Sequence, residues 1–180
     1  MPAADISRSF SKELYSIEEL HETVTTFAGI AAEKLRKQNS VACEVGVFAY
    51  TNRFKDNEPQ VYGNQLIQFE SGTNDHRTII TNAVAATREL FRRGVGYKKA
   101  GVAATKIIPV QNRMHSLFDD KASIEKEQRL TSVVDAVNRT FGKSTIKFAV
   151  QGSGRIKTSS ENQSPHYTTL WSDIPEVSVK

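Results

Sequence analysis

The 180-residue sequence predicts an α+β fold, a split βαβ unit with two helices on one face of a four-stranded sheet, followed by a small helix-strand C-terminal extension. Two stretches repeat apolar residues at three- and four-residue steps, which is the helical period. Others alternate apolar and polar residues with a period of two, which is the strand period. In order they read strand, helix, strand, strand, helix, strand.

The first strand is short, about Ile6 to Ser11. Ser16-Ile17-Glu18-Glu19 then has the form of a capping box, in which a serine and a glutamate satisfy backbone donors at a helix start. Ile17, Leu20, Val24, Phe27, Ala31 and Leu35 make one apolar stripe as far as Lys37. From Val41 the period drops to two: Val41, Cys43, Val45, Val47 and Ala49 fall on one face, with Glu44, Gly46, Phe48, Tyr50 and Asn52 on the other. After the polar loop KDNEPQ, Ile67 and Phe69 point one way and Leu66, Gln68 and Glu70 the other, so the two strands suit a hairpin. Asp75 is placed to cap a second helix with the stripe Ile80, Val84, Thr87 and Phe91, flanked by Ile79, Ala83 and Leu90 and closed by Gly94. The last strand runs from about Tyr97 to Ile108 and stops at Pro109.

Past that proline the composition changes, which divides the chain into a domain over 1–109, a linker over 110–122 and an extension over 123–180. The extension predicts a helix from Ser123 to Phe141 with Leu130, Val133, Val134, Val137 and Phe141 on one face. A strand is expected over 144–151, where Ile146, Phe148 and Val150 alternate with polar or small residues. With so few apolar residues it is expected to lean on another element rather than fold alone.

Composition narrows the function. No run approaches the roughly 18 apolar residues of a membrane span, and MPAADISRSF lacks a secretory pattern, so a soluble intracellular protein without a membrane partner is expected. The single cysteine, Cys43, excludes an internal disulfide and reads as a small buried hydrophobe. His21, His76, His115 and His166 lack zinc-site spacing and read as surface residues. Asp119 and Asp120 could hold a metal with Glu125, but adjacent carboxylates in a loop more often stay solvated or cap the helix that follows, so no metal site is expected. GSGR at 152–155 is too short for a phosphate loop. These residues give no active site.

The net charge of +4 points weakly to a polyanion. Its distribution says more: Arg88, Arg92, Arg93, Lys98 and Lys99 face one acid, Glu89. They either complement the negative end of a helix or form a phosphate-facing patch. Phe48 and Tyr50, on the sheet face away from the helices, are either base-stacking platforms or members of a wet sheet surface.

Seven stretches, ISRSFSKELYSIEEL, AAEKLRKQNS, YGNQLIQF, GYKKAGV, LFDDKASIEKEQRL, FAVQG and SPHYTTLWSDIP, together resemble in order the C-terminal portion of UmuC-type proteins. These are the catalytic subunits of DNA polymerase V, within the Y family of translesion polymerases. The resemblance begins near Ile6 and runs to the end; Met1 to Asp5 falls outside it, as a shortened start would.

The resemblance implies a little finger, or polymerase-associated domain, plus the C-terminal extension. In that family the palm's carboxylates hold two magnesium ions for nucleotidyl transfer, and they have no counterpart here. The chain is therefore expected to be non-catalytic and to need no cofactor of its own. It implies a bacterial cytoplasmic, nucleoid-associated protein acting in the SOS response, with primer-template DNA and the sliding clamp as partners. An accessory UmuD-like subunit and the recombinase filament are further partners the extension suggests. A polymerase that accepts damaged bases must hold DNA by backbone contacts that ignore sequence. The residues expected to do so are Arg8, Ser9 and Lys12 on the first strand, Thr51, Asn52 and Arg53 after the second, and Lys98, Lys99 and Lys106 on the last. Only Arg8 and Ser9 rest on a matched motif; the others follow from charge and position. In QNRMHSLFDD, Met114, Leu117 and Phe118 align with the family's clamp-binding peptide, roughly Gln-Leu-x-Leu-Phe, with methionine where the glutamine would stand. A pure protein-docking module is the alternative function.

Overall fold

The structure, a computed structural model, describes residues 4–55, 57–114, 121–142 and 144–152, with backbone alone for 121–123. Strand β1 (Ala4–Leu14), helix α1 (Ile17–Lys37), strands β2 (Ser40–Thr51) and β3 (Tyr62–Thr73), helix α2 (His76–Leu90) and strand β4 (Tyr97–Pro109) follow in the expected order. The sheet is antiparallel throughout, in the order β1-β4-β2-β3. Beyond it come a short 3-10 turn (Val110–Asn112), helix α3 (Lys121–Phe141) and a second such turn (Ala149–Gln151).

Both helices start where their sequences direct, each with one N-cap side-chain bond; at Ser16 this is half of the expected capping box, without the return bond from Glu19. Ser16 Oγ accepts the Glu19 N–H at 3.1 Å, and Asp75 Oδ2 accepts the Thr78 N–H at 2.7 Å. The apolar stripe of α1 (Leu20, Val24, Phe27, Ala31, Leu35) and that of α2 (Ile79, Ile80, Ala83, Leu90) pack on one sheet face. There they meet Phe10, Val45, Val47, Ala49, Ala100, Val102 and Ala104. Each large apolar side chain buried in this layer contributes roughly 1.5–3 kcal/mol.

Strand β1 runs past its expected ends at Ile6 and Ser11 to Ala4 and Leu14, and two further elements differ from expectation. Helix α2 stops at Leu90, not Gly94, because the buried Tyr97 hydroxyl donates to the Leu90 carbonyl (2.8 Å) and accepts the Arg92 N–H (3.0 Å), substituting for a further helical turn. The strand expected over 144–151 is also absent among the described residues. Asn138 donates to the Ile146 carbonyl (2.9 Å) and accepts its N–H (2.8 Å), so a side chain takes the groups a sheet neighbour would use.

The extension leans on the helical layer, as its composition suggested. Arg36 on α1 grips Asp135 on α3 with two parallel hydrogen bonds (2.7 and 2.8 Å), and its third nitrogen donates to the Asn74 carbonyl at 2.8 Å. Thr25 donates to the Val150 carbonyl at 3.0 Å, and the ring of Phe148 lies 5.2 Å from that of His76.

His76 is therefore not the surface residue its sequence context suggested. Burial, then the positive charge of Arg36, lowers its pKa to about 4, against the opposing influence of Asp135, Asp75 and Glu33. Protonation thus favours the unfolded chain, and stability is complete above pH 6.5 and falls as pH drops from 6.5 toward 4. The loss is at most about 3 kcal/mol. His21, lowered chiefly by burial, acts in the same direction. A His76→Gln variant is expected to flatten most of this slope; urea midpoints measured at several pH values check it, and an unchanged slope would remove His76 from the account. His115 and His166 lie outside the described residues, as do Asp119 and Asp120 of the metal reading.

Candidate nucleic-acid interface

With α1 and α2 on one face, strand alternation assigns the other face residue by residue. Pairing across β1, β4, β2 and β3 sets up cross-strand rows. The first is Ser9, Lys99, Tyr50 and Tyr62; the second is Ser7, Gly101, Phe48 and Asn64. Asp5, Ala103, Gly46 and Leu66 make the third, and Thr105, Glu44 and Gln68 close the far end. Among the described residues nothing packs over this face as the helices pack over the other.

Its two ends differ. At one end the rings of Phe48 and Tyr50 lie 6.2 Å apart with planes 13° from parallel, and those of Tyr50 and Tyr62 lie 5.7 Å and 22° apart. Lys99 Nζ stands 5.7 Å from the Tyr50 ring centre. Gly101 makes this packing possible, since a Cβ there would collide with the Phe48 ring and the Ser7 side chain. At the other end Lys106 forms an ion pair with Glu44, whose carboxyl is held below the usual range first by that hydrogen bond.

The expected contact residues divide accordingly. Ser9 and Lys99 meet in the first row, and Lys106 sits at the far end, neutralised by Glu44. Arg8 falls on the helix-side row of β1 but is exposed, because β1 is an edge strand; Lys12 lies within the irregularity between Ser9 and Leu14. Lys98 shares the core-side parity of Ala100, and its ammonium donates to the Ser11 carbonyl at 3.2 Å. Arg53 is exposed at the tip of the β2–β3 connection.

Thr51 and Asn52 do structural work. Thr51 is 6% exposed, and its hydroxyl donates to Gln60 (3.0 Å) and accepts the Val61 N–H (3.1 Å). The Asn52 side chain accepts the Phe54 N–H at 3.1 Å and shapes the turn. Of the clamp-peptide residues, Met114 is exposed, whereas Leu117 and Phe118 lie outside the described residues.

Sequence reasoning missed Tyr62 and Phe54. Tyr62 has the same parity as Leu66 and Gln68, but only the register opposite Tyr50 makes it part of an aromatic group. Phe54, 87% exposed beside Arg53, carried no periodic signal. Lys55, an unassigned cation, bridges Glu13 (3.0 Å) and Glu58 (2.8 Å), and these hydrogen bonds hold it firmly protonated.

Residues 6–117 match the model of the impB/mucB/samB family C-terminal domain. The chain belongs to this family. The match runs from Ile6 in β1 through β4 into the first part of the linker, which takes in the split βαβ unit and its exposed face. A second model, a domain of unknown function (DUF4113), matches residues 128–177. Protein UmuC of Salmonella typhimurium is 35% identical over 172 residues, covering 95% of this chain and 41% of that protein. Protein MucB of Salmonella typhimurium is 33% identical over 177 residues, covering 97% of this chain and 41% of its own. The chain thus spans about two fifths of the length of these relatives. Among solved structures, a complex of the beta-clamp processivity factor and the little finger domain of PolIV aligns with TM-score 0.45 and 17% identity, covering 66% of this chain and 100% of that one. The resemblance to UmuC-type proteins holds. Among the described residues no helix is long and apolar enough to cross a membrane.

Proposed function

We propose that this impB/mucB/samB-family chain is the non-catalytic, DNA-gripping and partner-tethering part of an error-prone Y-family translesion polymerase. It holds the primer-template backbone without reading its sequence. The observation that carries this reading is the sheet face left uncovered opposite the paired helices, with Ser7, Ser9 and Lys99 across β1 and β4 and with Arg8 and Lys12 along the adjoining edge. Serine hydroxyls and cations are groups that bind phosphate oxygens and carry no base preference. Nucleotidyl transfer, with its magnesium ions, belongs in this reading to the parent protein's palm. The setting is the bacterial cytoplasm during SOS mutagenesis.

Duplex affinity is expected to fall linearly as salt is raised on logarithmic axes. Lys98→Glu combined with Lys99→Glu should weaken binding and lower the salt slope by about 1, through Lys99 on the open face, while leaving the chain folded. Fluorescence anisotropy with a labelled primer-template reads both quantities, and unchanged binding removes this patch from the proposal.

Clamp tethering through Met114, Leu117 and Phe118 completes the proposal. A short peptide of modest affinity is enough, because DNA contact raises the effective concentration of the second interaction. Leu117→Ala with Phe118→Ala is expected to abolish clamp pull-down at an unchanged melting temperature. A drop in melting temperature with pull-down retained would make both residues core.

A second reading, a docking module for the clamp, accessory subunits or a recombinase filament with no direct DNA contact, is favoured by α3, where Leu130, Val133 and Phe141 are exposed among the described residues. Clamp or accessory-protein binding with no salt-dependent affinity for primer-template would select it.

A further inference from the structure

We infer that the aromatic end of the open sheet face, built from Phe48, Tyr50 and Tyr62 beside Lys99, is a stacking site for the unpaired bases of single-stranded nucleic acid. The inference builds on the proposed DNA grip but assigns different chemistry to different residues: base faces instead of phosphates.

The three rings occupy neighbouring positions on a face that no described element covers, and their planes lie within 13° and 22° of parallel. Tyr62 is 74% exposed, and Phe48 and Tyr50 are half-buried, so the group presents apolar area to solvent while remaining anchored in β2 and β3. Burying the Phe48 ring edge against Gly101 fixes the group's position on the sheet.

Charge on this face is sorted to match. In the two rows that contain the rings, Lys99 is the sole charged residue, and the carboxylates of Asp5 and Glu44 belong to the third and fourth rows. A polyanion entering at the ring end therefore meets Lys99 and π-faces, while the nearby carboxylates of Glu13 and Glu58 are both paired with Lys55. The β2–β3 connection continues the pattern past Thr51 with the exposed Arg53 and Phe54. Aromatic faces interleaved with cations are what sequence-tolerant single-strand binding requires, since every base has a π-face. A cross-strand tyrosine pair that only stabilised the sheet would need neither the third ring nor the sorting of charge.

The test uses the full 180-residue chain and three labelled probes of equal length: oligothymidylate, an abasic oligomer and a duplex. Oligothymidylate should bind at least about tenfold more tightly than the abasic oligomer. Tyr50→Leu with Tyr62→Leu should cost about tenfold or more toward oligothymidylate and less than about twofold toward the duplex. Tyr50→Phe with Tyr62→Phe, which keeps the rings, should bind like the parent. Should the leucine pair prove unfolded, the exposed Tyr62→Leu alone carries the test, with about a tenfold loss expected. Equal affinity for abasic and base-bearing oligomers overturns the inference, as does an equal loss in the leucine and phenylalanine pairs. Duplex binding without oligothymidylate binding overturns it and leaves the proposed grip standing; binding of neither overturns both.

Discussion

Arg36→Ala is expected to release α3 from the helical layer at a cost of about 2–3 kcal/mol. Arg36 makes the only described ion pair between α1 and α3, a two-bond fork to Asp135, and ties the Asn74 carbonyl into the same joint. With side chains 15% and 31% exposed, the pair is shielded enough to matter but not so buried that the full penalty of a stranded interior charge applies. The apolar contact of the helix is thin: Val134 and Val137 are only half-buried, and Leu130, Val133 and Phe141 are exposed. Amide hydrogen exchange along α3 should accelerate by roughly thirtyfold to a hundredfold, while exchange in β2 and β4 stays near the parent rate. Arg36→Lys should rescue only part of the loss, because an ammonium cannot reproduce the fork. Unchanged exchange in α3 would show that the joint lies elsewhere.

Tyr97→Ala should be the most destabilising single substitution in the sheet, about 3–5 kcal/mol. The side chain is fully buried and packs with its ring 6.0 Å from that of Phe91. Tyr97→Phe separates the two contributions: it keeps the ring and removes the hydroxyl that serves Leu90 and Arg92, for an expected loss of about 1–3 kcal/mol. Urea denaturation of both variants reads the difference. If phenylalanine proves as stable as tyrosine, the end of α2 does not depend on that hydroxyl.

Local periodicity makes the helices and most strands legible in the amino-acid order itself. Every residue of the α1 stripe from Leu20 to Leu35 is buried, and the alternation of β2 sends Val45, Val47 and Ala49 inward and Phe48 and Tyr50 outward. An irregularity between Ala42 and Glu44, however, puts Ala42 in the core and leaves Cys43, expected to be buried, half-buried. The same alternation assigns Thr51 to the core side, against the expectation of a DNA contact drawn from its place at a strand end. Features that depend on distant partners are not legible in this way. Ile146, Phe148 and Val150 alternate like a strand, but Asn138, eight residues before Ile146, claims the backbone groups. His76 is half-buried because Phe148 returns over its ring and Arg36 lies against it. Tyr62 joins Tyr50 through a register that a long, polar connection does not encode.

The position of β4 has a consequence for synthesis. The strand made last lies in the interior of the sheet, between the strand made first and β2. As the nascent chain leaves the ribosome, the β2–β3 hairpin and α1 can assemble early, but Ala4 must wait for Ala104 before its edge is paired. Closure across so many residues is slow compared with local contacts. Until residue 104 clears the exit tunnel, β1 and β2 each offer a bare edge to chaperones and to neighbouring nascent chains.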